Sequence, residues 1–217
     1  MERTTTIVEA KKIMANNFIG SEEILNCDKT SNLFHVNANE IPKIPYSRNE
    51  LNRLKNTHIL LLVLNELKDR NKISFSFLKK YFGFNPEEKE PCFYNQDWYL
   101  NEPFYNISEL KLSWVLFSLE IDESTRSKDP NLIMGNSQFK DLPTALLATY
   151  CFFVLYHVID KIFLKNDYLW CNDIDSHGDR IYVGRYSDAS KKSKNGFSIH
   201  RHLSIKNNYG SINFSFN

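Results

Sequence analysis

Residues 142–159 read LPTALLATYCFFVLYHVI, eighteen residues between Asp141 and Asp160 that include no Asp, Glu, Lys or Arg. A segment of this length reaches the lower limit for a membrane-spanning helix. Polar residues such as His157 interrupt it, however, and no basic cluster flanks it. A helix that is apolar on nearly all sides is also what the centre of a folded core requires. We therefore predict a buried core helix that begins near Pro143, since proline is favoured in a first helical turn. A membrane span is the disfavoured alternative.

Four short runs follow this helix, separated by turn-forming residues, a spacing that is typical of an antiparallel meander. The runs are residues 167–172, 179–186, 196–205 and 211–216. Within the third run, Phe197 and Ile199 alternate with Ser198 and His200. Alternate residues of a strand point to opposite faces. One face of the meander is therefore predicted to pack on the core helix, and the other to stay free for a partner.

The part of the chain before the helix predicts short helices and two buried strands. The run 58–64 is nearly all aliphatic and favours a buried strand, and the run 111–121 has two largely apolar faces and favours a central strand covered on two sides. Helices are predicted over 7–17, from Ser21, and after the cap residues Ser47 and Ser74. We expect a single α+β domain, 1–217. Residues 1–56 would form a mainly helical N-terminal part, and residues 57–217 an α+β core.

Composition narrows the class of protein. Hydrophobic residues make up 42% of the chain and charged residues 24%, values of an ordinary soluble globular protein rather than a disordered or collagen-like one. The formal net charge of +1 provides no strong field toward nucleic acid or anionic lipid. Residues 180–206 nevertheless carry seven basic residues and one acid, so nucleic acid stays a disfavoured alternative partner. Membrane association is not expected.

The cysteines and the N-terminal residues predict the cellular compartment of the protein. Four cysteines, Cys27, Cys92, Cys151 and Cys171, are widely spaced and form no CxxC pair, a pattern that fits reduced thiols. The first residues contain no apolar segment that would act as a secretory signal. We therefore expect a cytoplasmic protein.

An acidic turn is predicted between the first two runs of the meander. Asp173, Asp175 and Asp179 surround His177 and Gly178, and this spacing partly matches a calcium-binding loop. The favoured alternative is a turn in which aspartates accept hydrogen bonds from nearby backbone N–H groups while glycine adopts a positive φ.

His200 and His202 share one face of the third predicted strand. Alternate histidines on a strand can converge on one metal ion if a third ligand joins them. The candidate ligands of a divalent metal are Asp173, Asp175, His177, His200 and His202. The favoured alternative is a pair of solvent-facing histidines, and no cofactor is predicted.

The aromatic stretch CFYNQDWY, residues 92–99, has two interpretations. Its amphipathic rings could line a groove, with Tyr94 and Trp98 as contact residues, or they could clamp a loop to the core. The clamp is favoured. GxSxG, P-loop, HExxH and GxGxxG patterns are all missing, and this argues against the enzymes that carry them.

Several segments, in the same order, make the chain resemble a widespread family of bacterial hypothetical proteins. They are EAKKIMANNFIG, EIPKIPYSRNEL, THILLLVL, CFYNQDWY, ESTRSK, LPTALL and CNDIDSHGDRIYVGRY. The resemblance runs from about Thr6 to about Leu203. This resemblance implies a shared fold, but it does not imply any activity.

Residues 141–203 also resemble the C-type-lectin-like fold, in the branch of the formylglycine-generating sulfatase modifiers. The resemblance rests on the segments LPT at 142–144, YLW at 168–170, RIYVGRY at 180–186 and GFSIHR at 196–201. The modifiers' catalytic cysteine pattern is missing, so their oxidase activity is not expected here. The segment WCND at 170–173 is similar to the calcium motif of lectins with one residue inserted, which would reverse the facing of the residues after it.

These observations favour a non-enzymatic binding protein that presents a surface of its C-terminal sheet to a protein or a small ligand. The predicted binding residues are Trp170, Asp173, Asp175, Arg185, His200, His202, Tyr94 and Trp98. The alternative is a metal-assisted hydrolase, with nucleic acid as its candidate substrate, in which the two histidines and an aspartate of the turn hold an activated water.

Overall fold

The computed structural model describes residues 5–107, 109–135, 142–187, 195–201 and 205–215. It has an α+β architecture, as the sequence predicts. The described helices are α1 Ile7–Met14, α2 Ser21–Asn26, α3 Asp28–Ser31, α4 Arg48–Leu54, α5 Phe75–Phe82, α6 Pro103–Ile107, α7 Pro130–Met134 and α8 Ala145–Ile159. Short 3₁₀ turns lie at Ala15–Asn17, Ala38–Glu40 and Glu123–Thr125.

Eight described strands form two four-stranded sheets. The strands are β1 Phe18–Ile19, β2 His58–Val63, β3 Ser113–Ser118, β4 Tyr168–Ile174, β5 Arg180–Gly184, β6 Ser198–His200, β7 Tyr209–Gly210 and β8 Phe214–Ser215. The first sheet has the order β1-β2-β3-β8, with β1 parallel to β2 and the other pairs antiparallel. The second has the order β6-β5-β4-β7, with β7 parallel to β4.

Helix α8 is the buried core helix that the sequence predicts. Every residue from Ala145 to Leu155 is buried, and the helix contacts β2 of the first sheet and β4 and β5 of the second. Its N-cap is Thr144, whose Oγ1 accepts a hydrogen bond from the Leu147 amide. Pro143 therefore precedes the cap and does not occupy the first turn, and its carbonyl accepts from the Asn172 amide of β4. Among the described residues, no helix is both long enough and apolar enough to cross a bilayer.

The first three runs of the predicted meander form β4, β5 and β6, but the prediction for the fourth run is wrong. Phe214 and Ser215 pair with β3 of the first sheet. The Phe214 ring stacks on Phe117 with 5.2 Å between ring centroids, and the Ser215 carbonyl accepts a hydrogen bond of 2.6 Å from the Tyr46 hydroxyl. These partners lie far away in the sequence, and they draw the end of the chain across to the first sheet.

The N-terminal helical part packs into the same core as the rest of the chain. Strand β1 pairs with β2, and Ala10 and Met14 of α1 are buried in one continuous hydrophobic cluster that extends to Ile212. A second, smaller cluster lies on the other side of the second sheet.

Candidate functional site

The outer face of the second sheet is a layer of aromatic side chains. Alternation along β4 and β5 turns Leu169, Cys171, Ile181 and Val183 into the main core. The opposite face carries the aromatic cluster, which consists of Tyr168, Trp170, Tyr182 and Tyr209. The Tyr182 ring lies 5.0 Å from that of Trp170 and 5.1 Å from that of Tyr209.

This face is covered, contrary to the open surface expected from the sequence. The four aromatic side chains are at most 5% exposed, and Ile133 of α7 and Leu142 pack against them. The alternation of residues along β4 and β5 was sufficient to assign each side chain to one face of the second sheet. It could not show that a helix from another part of the chain lies over that face.

A small cleft remains between the start of α7 and the second sheet. Its volume is about 280 Å³. Trp170, Tyr182, Pro130 and Ile205 provide its apolar lining, and Asp129, Asp179 and Arg180 provide its charges. We call this the Trp170 cleft. It combines an aromatic floor with a few polar groups, which is typical of small-ligand pockets, and its volume is near the lower end of their range.

The indole of Trp170 is buried, but its N–H has no hydrogen-bond partner among the described residues. The other two tryptophans differ. Trp98 donates to the Ile199 carbonyl at 3.0 Å, and Trp114 donates to the Pro42 carbonyl at 2.9 Å. A buried tryptophan N–H usually finds an acceptor, and leaving one without a partner costs about 1–3 kcal/mol. The Trp170 cleft therefore contains an unused buried donor.

The acidic turn is the backbone-bonded turn that the sequence favours over a calcium loop. One carboxylate oxygen of Asp175 accepts hydrogen bonds from the amides of His177 and Asp179, both at 2.8 Å. Gly178 adopts a φ of 90°, as expected. Burial raises the pKa of Asp175, but hydrogen bonds from Arg201 and these amides outweigh it, so the net shift of the pKa is downward. This stabilisation is present above the ordinary aspartate pKa and is lost as the pH falls through the lowered one.

Arg201 connects the turn to the loop before α6. Its Nη1 lies 2.5 Å from Asp175 Oδ2, 3.2 Å from Glu102 Oε1 and 3.3 Å from His177 Nδ1. The guanidinium also stacks over the Trp98 ring, 4.5 Å from its centroid. Glu102 in turn accepts a hydrogen bond from the Ser176 amide at 2.7 Å. We call Glu102, Asp175, His177 and Arg201 the Arg201 cluster.

Glu102 and Arg201 were not among the predicted site residues. The sequence contained one signal for them, because Arg201 lies in register with the inward-facing Phe197 and Ile199. A charged side chain at such a position requires a buried partner of opposite charge. The sequence could not identify that partner as Glu102, which is 99 residues away.

The Arg201 cluster is also where three metal-ligating side chains meet among the described residues. Glu102, Asp175 and His177 each offer one ligand atom, and these atoms lie within 4.8 Å of one another. The same Arg201 nitrogen already contacts all three side chains. A divalent cation would have to displace this guanidinium, so the geometry favours an internal ion-pair network.

Two other predicted metal ligands, Asp173 and His200, lie elsewhere. The Asp173 carboxylate accepts a hydrogen bond of 2.6 Å from the Ala145 amide, at the start of α8. His200 lies on the outer face of the second sheet, with its Nε2 3.2 Å from the Gln96 amide nitrogen and its ring stacked near Tyr182. His202 is outside the described residues.

His200 and Arg185 are neighbours at the edge of the aromatic cluster. Burial, and then the positive charge of Arg185, lower the pKa of His200 to about 4. His200 is therefore neutral at pH 7, and it is half-buried rather than solvent-facing. Arg185 has a φ of 45° and is half-buried beside Tyr168. Neither residue lines the Trp170 cleft.

The aromatic stretch 92–99 is mainly the predicted clamp. The Tyr94 amide donates to the Phe197 carbonyl at 2.9 Å, and the Trp98 indole bonds Ile199, so the stretch lies along β6. Tyr94 also lines a separate surface groove of about 590 Å³ together with Phe84 and Asn95.

Three of the four cysteines do not have the environment of nucleophiles. Cys92, Cys151 and Cys171 are buried, and burial raises the pKa of all three thiols, that of Cys92 to about 11. A reactive cysteine requires a stabilised thiolate and solvent access. These three thiols have the properties of structural core residues.

Comparison with known proteins adds no family. No protein-family model, curated protein or solved structure matches the chain. The resemblance to the bacterial family and the resemblance to the C-type-lectin-like fold therefore stay predictions.

Proposed function

We propose that this protein is a non-enzymatic binding protein that holds a small ligand in the Trp170 cleft. The observation that carries the proposal is the buried indole N–H of Trp170, which has no acceptor among the described residues. A ligand with a hydrogen-bond acceptor would supply the missing partner and remove the cost of burying that donor.

The surroundings of the indole support the same function. Tyr182 and Pro130 offer an apolar floor, and Arg180 adds a charged donor. The second sheet is fastened to α8 and to the loop before α6, so the cleft is built on a rigid scaffold. The nitrogen itself is buried, so an acceptor reaches it by shifting the side chains above it.

The proposal is tested by nuclear magnetic resonance on protein labelled with ¹⁵N. The chain has three tryptophans, hence three indole N–H signals, and the Trp170→Phe variant assigns the signal of Trp170. Benzamide and 2-phenylethanol serve as probes, because each joins an aromatic ring to a neutral acceptor. We expect saturable movement of the Trp170 signal, with the signals of Trp98 and Trp114 as internal controls. The proposal would be refuted if the Trp170 signal moved neither with these two probes nor with L-phenylalanine, 3-phenylpropionate or 2-phenylethylamine.

A metal-assisted hydrolase is the second candidate, favoured by the convergence of Glu102, Asp175 and His177. Metal analysis of protein purified without chelators distinguishes the two functions. A stoichiometric transition metal that is lost in Glu102→Gln would support the hydrolase. Arg201 competes for the same three side chains, and on this ground we expect no stoichiometric metal.

A further inference from the structure

We infer that the ligand of the Trp170 cleft is a small zwitterion with an apolar body, of the class of the apolar α-amino acids. The inference rests on the proposed function and adds the chemistry of the ligand. Three properties of the cleft carry it: two unused donors, an acid with an unused oxygen, and a small apolar volume.

The donors favour a carboxylate. The Trp170 N–H is one of them. Arg180 is the other, because its Nη1 donates to the carbonyls of Cys171 and Asn172 at 3.3 and 3.2 Å, which holds the side chain in place. Its Nε and Nη2 make no hydrogen bond with any described residue. A guanidinium with free donors on one side is suited to binding a carboxylate through two hydrogen bonds.

The acids of the cleft favour a ligand that also carries a positive charge. Asp129 is exposed, and its Oδ1 accepts from the Asn131 amide at 2.8 Å. Its second oxygen has no partner among the described residues, so it can accept from an ammonium group. Asp179 adds another carboxylate to the lining of the cleft.

The size and lining of the cleft favour an apolar side chain. A volume of about 280 Å³ is near the lower end of the range for ligand pockets, too small for a nucleotide or an oligosaccharide. Trp170, Tyr182, Pro130 and Ile205 offer an apolar and aromatic surface. A single apolar amino acid meets all these conditions.

Three probes with the same phenyl ring separate the contributions of charge. L-Phenylalanine carries both charged groups, 3-phenylpropionate carries only the carboxylate, and 2-phenylethylamine carries only the ammonium. We expect L-phenylalanine to bind most tightly and 3-phenylpropionate to bind next, with 2-phenylethanol and 2-phenylethylamine at least about tenfold weaker than L-phenylalanine. Affinities are measured from the Trp170 indole signal and by calorimetry.

Two variants assign the charged groups. Arg180→Met is expected to weaken both carboxylate probes about tenfold or more and to leave 2-phenylethanol unchanged. Arg70→Met, which alters an exposed arginine outside the cleft, is the control. Asp129→Asn keeps the N-cap of α7, because asparagine is an equally good cap. This variant should abolish the preference for L-phenylalanine over 3-phenylpropionate.

The outcomes separate the inference from the proposed function. The inference of a zwitterionic ligand is wrong if 2-phenylethanol or 2-phenylethylamine binds as tightly as L-phenylalanine and 3-phenylpropionate. It is also wrong if Arg180→Met leaves the affinities of these two carboxylate probes unchanged. In either case the cleft still binds ligands. If no probe moves the Trp170 signal, the proposed function itself fails. The melting temperature of each variant, measured alongside, shows that it is folded.

Discussion

The three tryptophans of this chain provide an internal comparison at the scale of single residues. Trp114 and Trp170 are both nearly fully buried, but within the described part of the chain only the Trp114 N–H has an acceptor. Trp170 stands edge-on to Tyr182, with an interplanar angle of 78°. A contact between an N–H and a ring is weaker than one between an N–H and a carbonyl oxygen, so it would only partly replace the missing acceptor.

Phenylalanine substitutions exploit this difference. Both Trp170→Phe and Trp114→Phe remove the same ring atoms, but of the hydrogen bonds between described residues only the one from Trp114 to the Pro42 carbonyl is broken. We expect Trp114→Phe to lower the free energy of unfolding by about 1 kcal/mol more than Trp170→Phe does. Urea denaturation measures both. Equal losses would mean that the Trp170 N–H is already satisfied within the protein.

Arg201 is expected to be the most important charged residue for stability. The Asp175 side chain is fully buried, and the Glu102 side chain is 8% exposed. Arg201→Met would leave two buried carboxylates without their cation, at a cost of roughly 3 kcal/mol. Arg70→Met is the matched control, because the Arg70–Glu66 pair is largely exposed and contributes less than about 1 kcal/mol. Similar melting temperatures for the two variants would contradict this assignment.

His200 provides a prediction of pH dependence. Its pKa is lowered to about 4 in the folded protein, whereas the unfolded chain takes up the proton near pH 6.5. Between these values the unfolded state binds more protons, so the free energy of unfolding falls as the pH is lowered from about 6.5 to about 4. Above pH 6.5 this histidine contributes no pH dependence. NMR titration of the imidazole, assigned with His200→Gln, should give a midpoint near 4; a midpoint near 6.5 would contradict the buried position.

At the scale of elements, Asp173 connects β4 to the beginning of α8. The sequence predicts it as a binding residue, but its carboxylate accepts from the Ala145 amide. Together with Thr144 it satisfies two N–H groups of the first helical turn, and the helix dipole adds to the attraction.

Asp173→Ala is therefore expected to lower the free energy of unfolding by about 1 kcal/mol and to leave binding of benzamide unchanged. Asn172→Ala, at the exposed neighbouring position of the same strand, should change the stability by less than about 0.5 kcal/mol. Denaturation and the indole titration give the two measurements. Loss of benzamide binding without loss of stability would assign Asp173 to the ligand site instead.

The elements that the sequence predicted are those with a local signal. Helix α8 contains no Asp, Glu, Lys or Arg, and the strands at 58–63 and 113–118 are largely apolar runs. The C-terminal elements had no such signal. Strands β7 and β8 have two residues each, too few to show a period, and their partners were selected by distant side chains such as Tyr46 and Phe117.

The candidate site was only partly predictable for the same reason. Trp170 was predicted as a binding residue of the C-terminal sheet, and it does line the Trp170 cleft. Asp129 and Arg180 were missed, because α7 meets β4 and β5 only in the folded chain. Four other predicted residues, Asp173, Asp175, Arg185 and His200, are used in caps, ion pairs and packing.

At the scale of the whole molecule, the two hydrophobic clusters have different roles. The large cluster, centred on α8, joins both sheets and the N-terminal helices into one packed interior. The small cluster lies between α7 and the second sheet, and two of its residues, Trp170 and Tyr182, also line the Trp170 cleft. Such a division places the Trp170 cleft outside the main core.

The most direct test is a crystal structure of the protein soaked with benzamide. The account predicts that the phenyl ring lies in the cleft beside Tyr182 and Pro130, with the amide oxygen about 2.9 Å from Trp170 Nε1. An indole N–H bonded to an atom of the protein itself, in a cleft that excludes benzamide, would contradict it.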